Sequence, residues 1–287
     1  MKRLLIGILV VAMLMSFSAC GEITDTTVEK PADVAGTSTD DIVIEEMVLV
    51  DEAGVKITAK SLDVDGFFGA ELKLLLENNS GKDLTFQCRN SSVNGYMVEN
   101  LMSVDVANEK KANDSVTFSA SDLELCGIES IADMGLSFHI FTSDDWETYL
   151  DTQPVQIKTS IADTYTYTFD DSGEVAYTGK DIKIVIKGLT ENSSIFGPGV
   201  VVYIENNNKE NVTVQAQNVS INGFMVESIF SCEIASGKHA VDTITFMETD
   251  IEENGITAIE NVEFSFHIFE TDSWDDIVNT DVIKIAF

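Results

Sequence analysis

Apolar and polar residues alternate over much of the chain beyond residue 41. Glu71-Leu72-Lys73-Leu74, Ser115-Val116-Thr117-Phe118 and Leu136-Ser137-Phe138-His139-Ile140 show this pattern, as does Asp181-Ile182-Lys183-Ile184-Val185-Ile186 later on. A period of two puts one face of a strand on a core and the other toward water. Asn94-Gly95 and Asn222-Gly223 stand between β-prone pairs. They predict tight hairpins, because a type I′ turn needs positive φ at both central residues.

The two hairpins belong to an internal repeat. The stretch from Asn78 matches the stretch from Asn206 at an offset of 128, without a gap, through Phe138-His139-Ile140-Phe141 against Phe266-His267-Ile268-Phe269 and Trp146 against Trp274. From Glu77 to Ile157, 33 of 81 paired positions are identical, which predicts two units of one fold. Upstream the offset becomes 127, pairing Val55-Lys56-Ile57 with Ile182-Lys183-Ile184, so one residue is inserted before Gly197.

Each copy also predicts one short helix. Ser121-Asp122-Leu123-Glu124 and Thr249-Asp250-Ile251-Glu252 read as capping boxes, with Gly127 and Gly255 placed to end the helix in a left-handed turn. About seven short strands per copy, with frequent turn signals, predict an all-β chain of two tandem immunoglobulin-like β-sandwich domains. A partly open barrel is the other architecture that this strand count allows. The expected boundaries are 42–160 and 173–287, joined by a polar inter-domain linker over 161–172 that contains Thr164-Tyr165-Thr166-Tyr167.

The first twenty residues have a different character. Lys2 and Arg3 precede an apolar run from Leu4 to Met15, and small residues lead to Cys20. This is the pattern of an export signal and is too short for a membrane span. Phe17-Ser18-Ala19-Cys20 resembles the lipobox of bacterial lipoproteins, with Phe17 in place of the usual Leu. The resemblance implies that the Cys20 thiol is diacylglycerylated and that cleavage makes Cys20 the mature N-terminus. Two acyl chains suffice for stable anchoring, where one binds only marginally. Residues 21–41 lack apolar periodicity and read as a flexible acidic tether spanning about 25 Å as a coil.

Charge sharpens that picture. Among 287 residues, 49 acids face 17 Lys and Arg, a formal charge of −32. Such a surface argues against nucleic acid, whose binding needs cations to displace phosphate counterions, and against electrostatic docking on anionic lipid. Signal removal takes away Lys2 and Arg3 and no acid, so an acyl anchor has to hold the chain at the outer face of the cell membrane.

Catalytic chemistry finds little support. His139 and His267 share one strand position and read as half-buried structural histidines, while His239, aligned with Lys111, reads as an exposed loop residue. No nucleophile elbow, zinc motif or phosphate loop occurs. Beyond Cys20, the scattered Cys88, Cys126 and Cys232 suit buried inert thiols better than a metal site, and at most one bridge could form among them. No cofactor is expected.

Two groups of residues remain as candidates. Asp144, Asp145, Asp272 and Asp275 flank Trp146 and Trp274, and as loop oxygens they are candidate Ca²⁺ ligands; the competing reading is a solvated acidic surface. Tyr96, Met97, Phe224 and Met225 follow the hairpin turns, and with Trp146 and Trp274 they form a candidate contact surface. Ordinary core closure is the competing reading for these six.

The lipobox-like end, the Asn-Gly-Tyr/Phe-Met-Val-Glu hairpin, the capping-box–Gly turn and the Phe-Ser-Phe-His-Ile-Phe strand together resemble Gram-positive surface lipoproteins with acidic tandem immunoglobulin-like domains. The resemblance implies a fold and no catalytic residues. The expected role is non-catalytic binding or adhesion at the cell surface, toward an extracellular protein or glycan. The alternatives are an enzyme or enzyme inhibitor with a site between the domains, and a structural envelope spacer.

Overall fold

A computed structural model describes residues 42–194 and 196–287. The Cys20 lipidation site, the signal and the 21–41 tether lie outside the described residues. The first half runs β1 (Met47–Glu52), β2 (Val55–Asp63), β3 (Glu71–Asn78), β4 (Leu84–Val93), β5 (Tyr96–Met97), β6 (Asn100–Leu101), β7 (Ser103–Val106), β8 (Lys110–Phe118), α1 (Ala120–Leu125), β9 (Asp133–Thr142), β10 (Thr148–Asp151) and β11 (Val155–Lys158). The second half repeats that order. Its elements are β12 (Glu174–Gly179), β13 (Ile182–Ser194), β14 (Gly197–Asn206), β15 (Val212–Ile221), β16 (Phe224–Met225), β17 (Ser228–Ile229), β18 (Ser231–Ile234), β19 (His239–Phe246), α2 (Glu248–Glu253), β20 (Asn261–Glu270), β21 (Asp276–Asn279) and β22 (Ile283–Ala286).

The protein is all-β, with β-sandwich character. One sheet has the order β1-β2-β3-β8-β6 and another has β16-β15-β20-β21, with β18 beside β15 and β22 beside β20. The third runs β10-β9-β4-β5-β19-β14-β13-β12 and so passes from the first half into the second. Pairing registers repeat at the 128-residue offset. β4 meets β9 from Leu84↔Thr142 to Val93↔Met134, and β15 meets β20 from Val212↔Glu270 to Ile221↔Val262. Both ladders slip at the same place, beside Asn90 and Asn218, whose φ values of 50° and 55° are ones Asn tolerates.

Alternation explains the cores. β3 buries every second residue, Leu72, Leu74, Leu76 and Asn78. The three leucines pack in one cluster with Phe86, Phe118, Met134, Leu136 and Phe138, while Ile184, Val202, Phe246, Phe264 and Phe266 lie in a second cluster. Each large side chain so buried contributes about 1.5–3 kcal/mol. Asn78 and Asn206 are buried polar exceptions with their hydrogen bonds made. The Asn78 amide donates to the Lys82 and Val106 carbonyls, and that of Asn206 to the Glu210 and Ile234 carbonyls.

Turn chemistry follows the sequence at the hairpins. Asn94 and Gly95 have φ of 51° and 86°, and Asn222 and Gly223 have 51° and 85°. The short helices also end as expected, on Gly127 and Gly255 at φ of 65° and 64°. Their starts differ from the capping boxes. Ser119, not Ser121, caps α1 by accepting from the Asp122 amide, and Met247 opens α2 with no side-chain cap. The Asp122 and Asp250 carboxylates instead accept the Glu99 and Glu227 amides, tying each helix to the strand segment beside it.

Candidate functional site

Two places gather chemistry-bearing side chains: the turn after the Phe-rich strand in each half, and the seam where the halves meet. At the turn, the Trp146 amide donates to the Thr142 carbonyl and the Thr142 amide to the Glu147 carbonyl. Trp146 sits at the tip with φ of 61°. That backbone lays its indole flat on Phe141, with ring centroids 5.4 Å apart and planes 15° apart. Phe141 is buried at 5%, whereas Trp146 stays 74% exposed. The second half builds the same object. Trp274, at φ of 64°, is 73% exposed and stacks on buried Phe269 at 5.3 Å and 15°.

Core closure, the competing expectation for these tryptophans, is therefore wrong. A left-handed turn residue lies outside the sheet, so its ring can cover the outer face only. A histidine continues each stack, His139 beside Phe141 at 5.3 Å and His267 beside Phe269 at 4.9 Å. His139 Nδ1 lies 2.5 Å from Asp151, and His267 Nε2 lies 2.6 Å from Asp276. The acid comes from different positions of the neighbouring strand in the two halves, yet it reaches the ring in both.

The acids at the turns hold the turns. Asp145 accepts from the Thr142 hydroxyl and the Glu147 amide, and the Thr142 bond above all lowers its pKa. In the second half donor and acceptor have changed places, with the Ser273 hydroxyl donating to Glu270 at 2.8 Å. No cluster of three or more acid, His or Cys side chains able to hold a metal occurs among the described residues. Asp144, Asp145, Asp272 and Asp275 therefore belong to no such cluster.

At the seam, the hairpin aromatics part company. Tyr96 is 8% exposed and its ring stacks on His239 at 5.1 Å, while the His239 amide donates to the Gly95 carbonyl at 3.0 Å. Tyr203 stacks beside His239 and its hydroxyl lies 2.8 Å from Nδ1. His239, expected in an exposed loop, is a strand residue whose pKa burial pushes down. The stretch expected to be a polar linker supplies Tyr167 and Phe169 to this stack, at 5.2 Å and 5.5 Å from Tyr96. Met97 packs against the second cluster. Phe224 and Met225, their counterparts, are 47% and 65% exposed.

Beside the stack lies a cleft of about 420 Å³ lined by Met97, Glu99, Asp122, Cys232, Glu233 and Asp242, among others. Burial raises the Asp242 carboxyl to about 6, and burial with Asp122 nearby raises Glu99 as well. None of the three histidines lines it. Cys88, Cys126 and Cys232 are free and buried, and burial pushes the first two thiols up to about 12 and Cys232 well above its usual value. Such thiols are poor nucleophiles at neutral pH. One exposed pair escaped the sequence reading: Phe67 and Phe68, 91% and 65% exposed in the β2–β3 loop. Only their adjacency could have flagged them.

No protein-family model matches the chain, and no curated protein matches it. Among solved structures it is similar to the YadV chaperone, with 9% identity and a TM-score of 0.23 over 76% of this chain and 92% of that one. It is also similar to a protein of unknown function from Porphyromonas gingivalis W83, with 10% identity and a TM-score of 0.21 over 76% and 91%.

Proposed function

We propose that this is a non-catalytic binding or adhesion protein, held at the outer face of the cell membrane by acyl chains on Cys20 and built from two tandem immunoglobulin-like units. The observation that carries the reading is the duplicated indole platform. Trp146 and Trp274 each present one open face, backed by a buried Phe and a His hydrogen-bonded to an aspartate. An exposed tryptophan fixed by its backbone gives contact area at little entropic cost, which suits a binding surface. Two equivalent platforms on one chain raise avidity wherever a partner offers repeated sites.

The partner is an extracellular protein or glycan carrying cationic groups. The indole face attracts cations through its quadrupole. The acids beside it, Asp144 and Glu147 in one half and Asp272 and Asp276 in the other, add to that field. A chain at −32 also steers basic partners toward itself. The alternative of an enzyme or inhibitor working between the halves draws on the acidic cleft alone.

Capture from cell-wall and host-surface extracts, compared between the mature chain and its Trp146→Ala/Trp274→Ala variant, tests the reading. Loss of salt-sensitive capture in the variant is the expected result. Equal capture by both proteins would remove the platforms from the function.

A further inference from the structure

The β2–β3 loop ends in an apolar tip. The Gly69 amide donates to the Gly66 carbonyl at 3.0 Å, which makes Phe67 and Phe68 the two central residues of a tight turn. Their rings meet edge to face at 4.9 Å and are 91% and 65% exposed. The backbone below them is pinned. The Phe68 carbonyl accepts the Ala120 amide at 3.1 Å, and the Ala70 carbonyl accepts the Phe118 amide at 2.8 Å. Gly69 approaches the Phe118 carbonyl so closely that any side chain there would collide with it. Residues 66–70 carry no charge. A strongly acidic chain therefore holds two adjacent aromatic rings out in water on a fixed turn, the kind of apolar exposure that marks a contact.

The chain's entry into the fold says what lies opposite this tip. Ile42, the first described residue, is buried, and it lines a cleft of about 190 Å³ together with Val64, Asp65 and Ala70, which flank the turn. The ladders agree. β1 begins with Met47 opposite Ala59, and β2 ends with Asp63 opposite Glu71, so β1 starts and the β2–β3 loop turns at one end of the sheet. The Trp146 platform is at the other end. β3 runs from Glu71 to Asn78, the Asn78 amide donates to the Lys82 carbonyl, and the Asp83 carbonyl accepts the Ser143 amide. The 8 residues of β3 set the two ends about 25 Å apart.

Residues 21–41 separate Ile42 from Cys20, and a coil of that length spans about 25 Å. An acyl anchor on Cys20 keeps the Ile42 end of the first half within reach of the bilayer and makes any contact there intramolecular, so that a weak one suffices. We infer that the β2–β3 turn is a second membrane contact, with Phe67 and Phe68 entering the lipid interface and the Trp146 platform turned away from the cell. This inference rests on the proposed Cys20 anchor, which delivers the tip to lipid ahead of any other partner. Charge gives no help. Asp63 and Asp65 are exposed beside the turn, so the rings have to carry the contact by apolar insertion into the headgroup and acyl boundary while the acids stay in water. At physiological ionic strength the repulsion from anionic lipid is screened beyond about 8 Å.

Chemical attachment tests the tip apart from the cell's own anchor. The chain from Cys20 onward, made without acyl groups, is coupled through Cys20 to a maleimide lipid in vesicles of phosphatidylcholine and phosphatidylglycerol; Cys88, Cys126 and Cys232 are buried and do not compete. Phe67→Trp in a Trp146→Phe/Trp274→Phe background leaves one indole, at the tip. Its emission should shift to the blue on the vesicles and be quenched when the acyl chains carry bromine. Adding Phe68→Asp should abolish both changes, and at this exposed site circular dichroism should show the fold intact. A chain with Trp274→Phe alone keeps Trp146, at the far end, and should show neither change. Equal emission of the tip indole on plain and brominated vesicles, quenching indifferent to Phe68→Asp, or equal quenching of Trp146 would overturn the inference. None of these results bears on the acyl anchor, which Cys20→Ala tests in cells.

Discussion

Tyr96 and His239 lie 143 residues apart in sequence and face each other with ring centroids 5.1 Å apart. The same hairpin position in the second half, Phe224, faces water. One motif in two settings separates what a residue is from what its neighbours make of it.

Stability should register that difference. Tyr96→Ala removes a ring held by His239, Tyr167 and Phe169, and a loss of about 3 kcal/mol is expected, as for other buried aromatics. Phe224→Ala, at an exposed site, should change stability by less than about 0.5 kcal/mol. Urea melts of the two variants under dilute conditions check the contrast.

The Asp242 carboxyl gives a pH signature. Burial first, then the charges of Asp122 and Glu99, hold it up at about 6, against about 4 for an unfolded aspartate. The folded state therefore binds the proton more tightly than the unfolded state. Its ionised form costs stability at neutral pH, and that cost fades as pH falls through 6 toward 4. The shift corresponds to at most about 3 kcal/mol. Asp242→Asn should raise the urea midpoint at neutral pH, and its advantage over the parent should shrink toward pH 4. A constant advantage across that range would place the effect elsewhere.

The thiols should be silent until the chain opens. Cys88, Cys126 and Cys232 are unbridged and buried, and thiolate formation is suppressed by burial at each. A disulfide reagent added to native protein from Gly21 onward should titrate almost nothing within minutes, and all three thiols in denaturant.

The anchor has its own test. Cys20→Ala removes the thiol that would be acylated, and cell fractionation should then find the protein no longer held in the membrane as a processed lipoprotein. Unchanged globomycin-sensitive processing and membrane retention would falsify the lipobox assignment.

Much of the architecture was legible because local rules and tertiary environment agree. Asn-Gly pairs made the expected hairpins, alternating residues made strands, and the 128-residue offset reappeared in the registers of β4–β9 and β15–β20. Burial across the seam was not legible. Tyr96 and Phe224 carry the same local signal, and only the partner half distinguishes them. In Thr164-Tyr165-Thr166-Tyr167-Thr168-Phe169 the threonines suggested a linker, while the alternate aromatics were the part that packs. The tryptophans misled for a related reason. Their size argues for the core, but the positive φ that lifts them outside is a property of the turn. Ser119 replaced Ser121 as the cap because a capping signal shifted by two residues looks the same on paper.

The bridge between β5 and β19 also has a mechanical meaning. Tension applied between Ile42 and Trp274 crosses from one half to the other through that bridge, the ring stack beside it, and the Val185, Tyr203 and Val241 side chains that the second half buries in the first core. Long ladders such as β13–β14 resist as wide fronts, whereas a two-residue strand peels almost bond by bond. The short strand alone would let go early, but a pull on the seam also drags Val185, Tyr203 and Val241 out of the first core, so slack comes out only as that core opens.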